Sequence, residues 1–399
     1  MSQSHGPISW KENVRKDAAS AALAGVYVGI LGPFIGLVAA KTLHASVFLI
    51  AIIVAAPFIG NMLTPLWVHW MHGKPKIPFV VIPGAAARSL YLLMLLVRSA
   101  PEYVGVVFLA NVFEASSGPG YSAVMERIYP RKLRGRIMSG VRVARTLVVI
   151  GITLVAGRVL DHWGYHEVFA AAGICGLAAS FIFSRMRAPG DRDELERQRP
   201  QAKRGDAWRI FRSDHAYRRF ALAIFVYGLG NLLISPIYPL FVSHTLRITY
   251  AEQGILSFVS SVAALAGFLF WGRFIDRRGS VRCVFTCIGL VAIKPLIYFF
   301  APNYIWLIPA AVIDGASSAG IEIGYINSIL SFSPPEMVPA YQSLHASMLG
   351  IRGVAAPLLA GLLVTLLQAH HLGFRPAFIV SAAIILTGLV MGRRTRWRA

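Results

Sequence analysis

The stretch 272–282 reads GRFIDRRGSVR, a cluster of charge and glycine set between two apolar runs, 250–272 and 281–301. Each run is long enough to cross a bilayer as a helix, which takes roughly 20 apolar residues. A polar stretch this short joins two membrane helices at one membrane surface. Gly272 and Gly279 permit a tight turn. Asp276 can cap a neighbouring helix or meet an arginine. Arg277 and Arg282 mark the side of the membrane on which the turn lies.

Working outward, the same grammar recurs along the chain. Twelve apolar segments are expected to span: 17–41, 45–71, 77–98, 101–127, 137–160, 165–186, 216–243, 250–272, 281–301, 304–330, 340–368 and 375–393. The composition agrees, with 56% hydrophobic and 14% charged residues over 399 positions; soluble domains carry about 25% charged residues. The expected fold is an all-α membrane protein of twelve transmembrane helices, arranged as two six-helix pseudo-repeats around a central cavity. Twelve spans leave no room for a sizeable aqueous catalytic domain, so an enzyme is not expected. Residues 1–16 are polar and lack the apolar core of a cleavable signal. The three cysteines, Cys175, Cys283 and Cys287, lie in apolar stretches and read as core thiols. No metal-ligand spacing and no phosphate-cradling Gly-Lys-Ser/Thr motif occurs, so no metal, no cofactor and no ATP-driven pump is expected.

The net charge of +21 is mostly a topology signal. Of 39 Lys and Arg, only Lys41, Arg98, Arg158, Arg247 and Arg375 fall at the face opposite the N-terminus. The positive-inside bias places both termini in the cytoplasm and the protein in the cell membrane. Anionic lipid headgroups, not nucleic acid, are the expected counter-charge. The one long polar stretch, 187–214, carries both signs of charge together with Pro189, Gly190 and Pro200. It reads as a solvated linker with an amphipathic turn near Trp208–Phe211, dividing the chain into 1–186 and 215–399.

The halves resemble each other. NVFEASSGPG (111–120) matches AVIDGASSAG (311–320) at an offset of 200, placing Glu114 on Asp314, Ser117 on Ser317 and Gly120 on Gly320. RTLVVIGITLVAG (145–157) resembles LGIRGVAAPLLAG (349–361). A parallel repeat of this kind puts a substrate site between the halves near the bilayer midplane.

The stretch 272–282 resembles the G-x-x-x-D-R-x-G-x-[KR] loop of the major facilitator superfamily and stands where that family has it, between the second and third spans of a half. The first-half counterpart, LWVHWMHGKPK (66–76), keeps Gly73 but has Trp70 at the Asp position. ILGPFIGLVAAKTLHAS (30–46) and PIYPLFVSHTLRITYAEQGIL (236–256) extend the likeness. It implies a secondary transporter working by alternating access, with the first, fourth, seventh and tenth spans lining the cavity and residues 272–282 serving as a gating motif. Two features depart from the family's drug antiporters. Glu114…Gly118 stands where they carry an Arg four residues before a Gly, and the fifth span offers only Gly151 and Gly157 where they have a Gly-Pro-rich run; Pro357 and Gly361, in the eleventh, come nearest to it.

Charges inside a membrane are costly, at about 2.5–3.5 kcal/mol or more each on insertion scales. Here they are Arg88, Glu114, Arg142, Arg145, Lys294, Asp314, Glu322 and Arg352. Low dielectric disfavours an ionised carboxyl, so Glu114 and Asp314, both near mid-span, are the leading proton carriers, followed by Glu322. The competing reading is a static ion pair: Glu114 with Arg88, or Asp314 with Arg352. Arg88 and Lys294 are expected to be structural, since their spans are peripheral in the family. Arg88 aligns with no base in the second half, so the matched acids lack matched bases. Arg142 and Arg145 share one helix face and are expected to snorkel to lipid phosphate. Asn111, Tyr227 and Asn231 offer hydrogen bonds to a solute, His345 can titrate, and Gly25, Gly29, Gly32 and Gly36 read as a packing stripe.

The expected function is proton-coupled export of a small amphipathic compound, by a monomer whose partners are solute, protons and membrane lipid. An organic-anion transporter using Arg352, Arg142 and Arg145 is the alternative, and a non-transporting receptor or lipid-handling protein on the same fold is a third reading. The topology predicts that a cysteine placed by Arg197→Cys in intact cells stays unlabelled by an impermeant thiol reagent added outside. Labelling comparable to that of a cysteine in the 370–373 loop overturns it.

Overall fold

A computed structural model of the protein describes residues 10–71, 74–130, 133–187, 206–334 and 337–393. Gly73, Arg131, Lys132, residues 188–205 of the expected linker and the C-terminal arginines beyond 393 lie outside the described residues.

Among the described residues, twelve helical spans form the bundle: Trp10–Lys41, Val47–Met62 with Thr64–Met71, Pro78–Leu95, Ala100–Ile128, Arg134–Trp163, Tyr165–Ser184, His215–Thr245, Tyr250–Arg278, Ser280–Phe300, Tyr304–Phe332, Val338–Ala369 and Arg375–Gly392. They are spans 1 to 12 below. Ten are long and apolar enough to cross a membrane on their own, and span 2, bent by 40° at Leu63, makes an eleventh. Span 4 completes the set. At 29 residues it matches spans 8 and 10 in length, but Asn, Glu, Ser and Gly interrupt its apolar run. Local chemistry starts several spans: Ser99 with Glu102 and Thr249 with Glu252 form capping boxes on spans 4 and 8, and Asp214 caps span 7 through the Tyr217 N–H at 2.9 Å. Gly279, at φ +84°, turns span 8 into span 9 in the left-handed region that glycine tolerates.

Helix contacts repeat between halves. Span 1 packs on spans 5 and 6 as span 7 packs on 11 and 12; spans 2 and 3 pack on 4 as 8 and 9 pack on 10. The halves meet along two equivalent seams, span 5 against 8 and span 2 against 11. The glycine stripe of span 1 serves packing, with Gly25 and Gly29 facing Val148 and Ile152 of span 5.

The seams close one end of the bundle and leave the other open. At the far end, which holds Lys41, Trp163 and Tyr250, a single core spans both halves and includes Phe34, Leu37, Ile50, Leu160, Ile237 and Phe241. At the near end, which holds Trp10 and Arg278, each half keeps its own core: Val124, Met125 and Phe183 in one, Tyr217, Phe220 and Tyr341 in the other. Polar clasps tighten the far end. The Asp161 carboxylate, from span 5, accepts from the backbone N–H of Tyr250 at 3.0 Å and of Ala251 at 2.8 Å, at the start of span 8. Lys41 donates to the Ile248 carbonyl at 2.7 Å, and the Thr42 and Tyr250 hydroxyls meet at 2.5 Å. Gly157 lets the span 8 backbone approach; a Cβ there would stand 2.5 Å from the Tyr250 carbonyl oxygen.

The outside of the bundle is apolar, with Leu96, Ile174, Phe181, Leu269 and Phe300 exposed as a lipid-facing belt. Exposed Trp163 and Trp306 lie at the far end and Trp70 and Trp208 at the near end, where aromatic anchors sit at membrane interfaces. Trp208 belongs to the short amphipathic helix Asp206–Ser213, whose Ile210 is buried in the second-half core. The expected amphipathic turn is therefore present, docked beside span 11.

Asp161 binds a helix N-terminus through charge-assisted hydrogen bonds that are worth about 1.5–3 kcal/mol each. Asp161→Ala is expected to loosen the far end. A cysteine at Asn111 would then be labelled several-fold faster from the far side; an unchanged rate contradicts this.

Candidate functional site

Three of the cavities among the described residues lie within the bundle and hold expected site residues. The first, about 450 Å³, lies within the second half between spans 7, 8, 9 and 10, lined by Asn231, Tyr238, Gln253, Lys294, Tyr298 and Asp314. The second, about 370 Å³, lies within the first half and holds Arg88, Glu114, Arg142 and Arg145. The third, about 450 Å³, sits between the halves, where Asn111 faces Tyr238 and Gln253 beside the broken turn of span 1 at Gly32–Pro33. It shares Ser235, Tyr238 and Gln253 with the first cavity.

Each half holds an acid–cation couple. Arg88 Nη2 lies 3.3 Å from Glu114 Oε1, and Lys294 Nζ lies 2.6 Å from Asp314 Oδ1. Glu114 with Arg88 was one of the expected pairs. Asp314 with Arg352 was not found, and the matched acids do have matched bases: Lys294 on span 9 stands to Asp314 as Arg88 on span 3 stands to Glu114. A fixed offset of 200 conceals this, because base and acid are 26 residues apart in the first half and 20 in the second. Both bases sit where their span loses regularity. Arg88 precedes the 3₁₀ turn Tyr91–Leu95, and Lys294 follows the break of span 9 at Ala292. The couples share a polarity: the acid faces the cavity and the cation lies behind it. Side-chain exposure is 40% for Glu114 against 14% for Arg88, and 49% for Asp314 against 10% for Lys294.

The cations differ in how they are held. Arg88 also donates to the Ser180 hydroxyl and to the Gly176 carbonyl at 3.2 Å, and its guanidinium lies 5.7 Å from the centre of the Tyr27 ring. Only a glycine at 176 leaves room for it, since a Cβ would stand 2.8 Å from Arg88 Cγ. Lys294 has Asp314 and the Asn231 side-chain oxygen, at 3.2 Å.

Other expected residues take varied places. Arg352 is buried, lies across Gly228 and donates to the Ile224 carbonyl of span 7, outside the three cavities. Tyr227 is likewise buried in the second-half core. Both were expected at the cavity; span 7 packs against span 11 closely enough to hold them between helices instead. Asn111 and Asn231 do line cavities. Arg142 and Arg145 face the first-half cavity rather than lipid alone. Arg142 reaches across the open end to Glu322 at 3.8 Å, both well exposed, while Arg145 makes no hydrogen bond or ion pair among the described residues. His345 packs against Tyr325, with ring centroids 5.0 Å apart. In the turn 272–282, Asp276, Arg277, Gly279 and Arg282 are exposed, and Asp276 has no partner among the described residues. Sequence reasoning missed the pocket wall of Ser257, Ser260, Ser261 and Tyr298. Its only signal was a run of serines on the face of span 8 that looks inward.

A twelve-span bundle with a central polar cavity, closed at one end and open at the other, defines a multi-pass transporter of a small solute. The profile of the Major Facilitator Superfamily matches residues 18–223 and 220–399, and the chain belongs to that family. The family consists of transporters rather than enzymes. One relative, the gentisate transporter of Corynebacterium glutamicum, is 24% identical over 372 residues, covering 88% of this chain and 80% of its own. Among solved structures, a mutant form of the nucleoside transporter NupG matches with a TM-score of 0.75 at 13% identity, over 95% of this chain and 99% of its own. A bacterial homologue of the human lysosomal transporter Spinster, inward-facing and unoccupied, gives 0.71 at 12% identity, over 97% and 98%. A bacterial homologue of the iron transporter ferroportin, inward-facing, gives 0.70 at 14%, over 96% and 98%. These likenesses show the fold.

Leaving one buried charge of a pair unmatched costs about 3–5 kcal/mol, whereas removing both is far milder. Arg88→Gln and Glu114→Gln are each expected to lower the melting temperature of detergent-solubilised protein by several degrees, Arg88→Gln less because the acid it leaves unmatched is partly exposed. The double variant should recover most of the loss. Additive losses in the double variant would rule out a coupled pair.

Proposed function

We propose that the protein is a proton-coupled transporter of a small organic anion, with Glu114 and Asp314 carrying the protons. The observation that carries this reading is the shared polarity of the two couples, an accessible acid backed by a buried cation. Protonating the acid uncovers a positive charge, and a site that gains positive charge attracts an anion. Arg145, in the same cavity and within electrostatic reach of Glu114, adds to the positive charge uncovered there. The gentisate transporter, whose named solute is an aromatic carboxylate, supports the same class of solute.

Direction follows from electrostatics. Carrying one charge across the membrane potential is worth about 2.3 kcal/mol per 100 mV. An inside-negative potential already drives anions out, so protons are needed for uptake, where one proton per monovalent anion cancels the electrical cost. Proton-driven uptake of an anion therefore takes precedence over export of an amphipathic compound, the expectation from sequence alone. The chain acts as a monomer in the cell membrane with both termini cytoplasmic, so the near end, where the cavity opens, is the inside. Residues 1–186 and 215–399 are the moving bodies and 187–214 the tether. Asp276 and its neighbours form the inside gate, released while that end is open, and Asp161 is part of the outside gate.

Proteoliposomes loaded at pH 7.5 and diluted to pH 5.5 are expected to accumulate labelled gentisate or benzoate, and a protonophore should collapse the accumulation. Glu114→Gln or Asp314→Asn should abolish pH-driven accumulation while counterflow exchange, which needs no net proton movement, survives. No accumulation of any organic anion by the unaltered protein rejects the proposal. Unchanged proton-driven uptake in both amide variants removes these acids from the coupling.

A further inference from the structure

We infer that the Lys294–Asp314 couple is the carboxylate-binding subsite, where one proton and one anion bind together, the proton on Asp314 and the substrate carboxylate on Lys294. The inference rests on the anion-transport reading and specifies its chemistry.

Lys294 is 8% exposed. It has three N–H donors, and the described residues meet two of them, through Asp314 and Asn231. An ammonium so placed is tolerable only with a negative partner. When Asp314 takes up a proton its carboxylate becomes a neutral carboxyl, and Lys294 is left as a buried, unmatched cation. A substrate carboxylate entering the cavity restores the match, and it also occupies the third donor. In the reverse order, an anion arriving while Asp314 is ionised brings two carboxylates onto one ammonium, a repulsion that a proton on Asp314 relieves. Each ligand therefore raises the affinity of the other, and by linkage the two factors are equal.

Charged and titratable groups around Asp314 are consistent with this assignment. Span 9 contributes Lys294 and Tyr298, span 7 contributes Tyr227 and Tyr238 within electrostatic reach, and span 8 faces the cavity with serines and Gln253. Lys294 is thus the only cation lining this cavity among the described residues. Arg88 does not fill the same role, because Ser180, the Gly176 carbonyl and the Tyr27 ring still hold it when Glu114 is neutral.

The walls specify the rest of the ligand. Tyr238 and Tyr298 stand with ring centroids 5.3 Å apart on one side, where an aromatic ring can pack edge or face on. Ser257, Ser260 and Ser261 of span 8 add hydroxyls to the lining. A cavity of about 450 Å³ lies at the low end of the usual range for small-molecule sites, about 300–1,000 Å³. Together these features select a single-ring aromatic acid carrying hydroxyl groups.

The test is binding of gentisate, and of its neutral amide as a control, to purified full-length protein in weakly buffered detergent solution with a pH indicator. A Glu114→Gln background leaves Asp314 as the acid under observation. There, close to one proton is expected to be taken up per gentisate bound, with the amide bound at least tenfold more weakly. Adding Asp314→Asn should keep gentisate binding and abolish proton uptake. Adding Lys294→Gln should weaken gentisate at least tenfold. The charge-free Lys294→Gln/Asp314→Asn pair, which leaves no orphaned ion, should melt near the parent temperature and still fail to bind. Full gentisate affinity in the Lys294→Gln protein, or proton uptake that persists without Asp314, overturns the subsite while leaving anion transport standing. Equal binding of gentisate and its amide does the same. Absence of gentisate binding and of organic-anion flux in the unaltered protein overturns both readings.

Discussion

A positive charge held in a low-dielectric interior needs compensation close by; Arg88 and Lys294 lie behind the acids that satisfy them, whereas the buried Arg352 is met by the Ile224 carbonyl. Breaking a fully buried pair costs about 3–5 kcal/mol, and the partial exposure of Glu114 and Asp314 lowers that cost here. The helices around each couple are arranged to meet that demand. Span 3 brings Arg88 through the gap left by Gly176, and span 9 breaks at Ala292 just before Lys294. The cavity exists because four helices cannot close around an accessible acid and a buried base without leaving a polar space.

The same constraint links local chemistry to motion. The far end is sealed by one shared apolar core and by backbone contacts such as those of Asp161 with span 8. The near end has two separate cores, and a single long, exposed ion pair, Arg142 with Glu322, bridges the halves there among the described residues. Opening at the far end therefore requires unmaking a set of specific polar contacts, while closing at the near end requires making contacts that are absent here. Exposed Asp276 and its arginines lie at that end. A transporter that alternates between two such states needs each gate to be strong enough to hold and weak enough to release. Hydrogen bonds to a helix terminus, worth a few kcal/mol, fall in that range.

The sequence by itself determined the architecture. Twelve apolar segments, the bias of Lys and Arg toward one set of loops, and the turn at 272–282 are local properties, because a bilayer imposes the same length and polarity on every span regardless of what it packs against. The repeat at Glu114 and Asp314 was also legible, since equivalent positions in the two halves kept chemically equivalent residues. Span 4 too was legible among the apolar segments, at 101–127, although Asn, Glu, Ser and Gly interrupt it.

Which charge meets which was decided only in three dimensions. Lys294 and Arg88 correspond in space but not at a constant offset, because the base-to-acid separation along the chain differs by six residues between halves. Arg352 lies on a helix that the family resemblance did not exclude from the cavity, yet its rotation about span 11 points it at the span 7 backbone. Arg142 and Arg145 sit near a helix end, where lipid and cavity are both within reach, and packing of span 5 against span 1 turned them inward. Hydropathy fixes how deep a residue sits in the membrane. The azimuth of each helix, and so the partner of each charge, is set by side-chain packing between spans far apart in the chain.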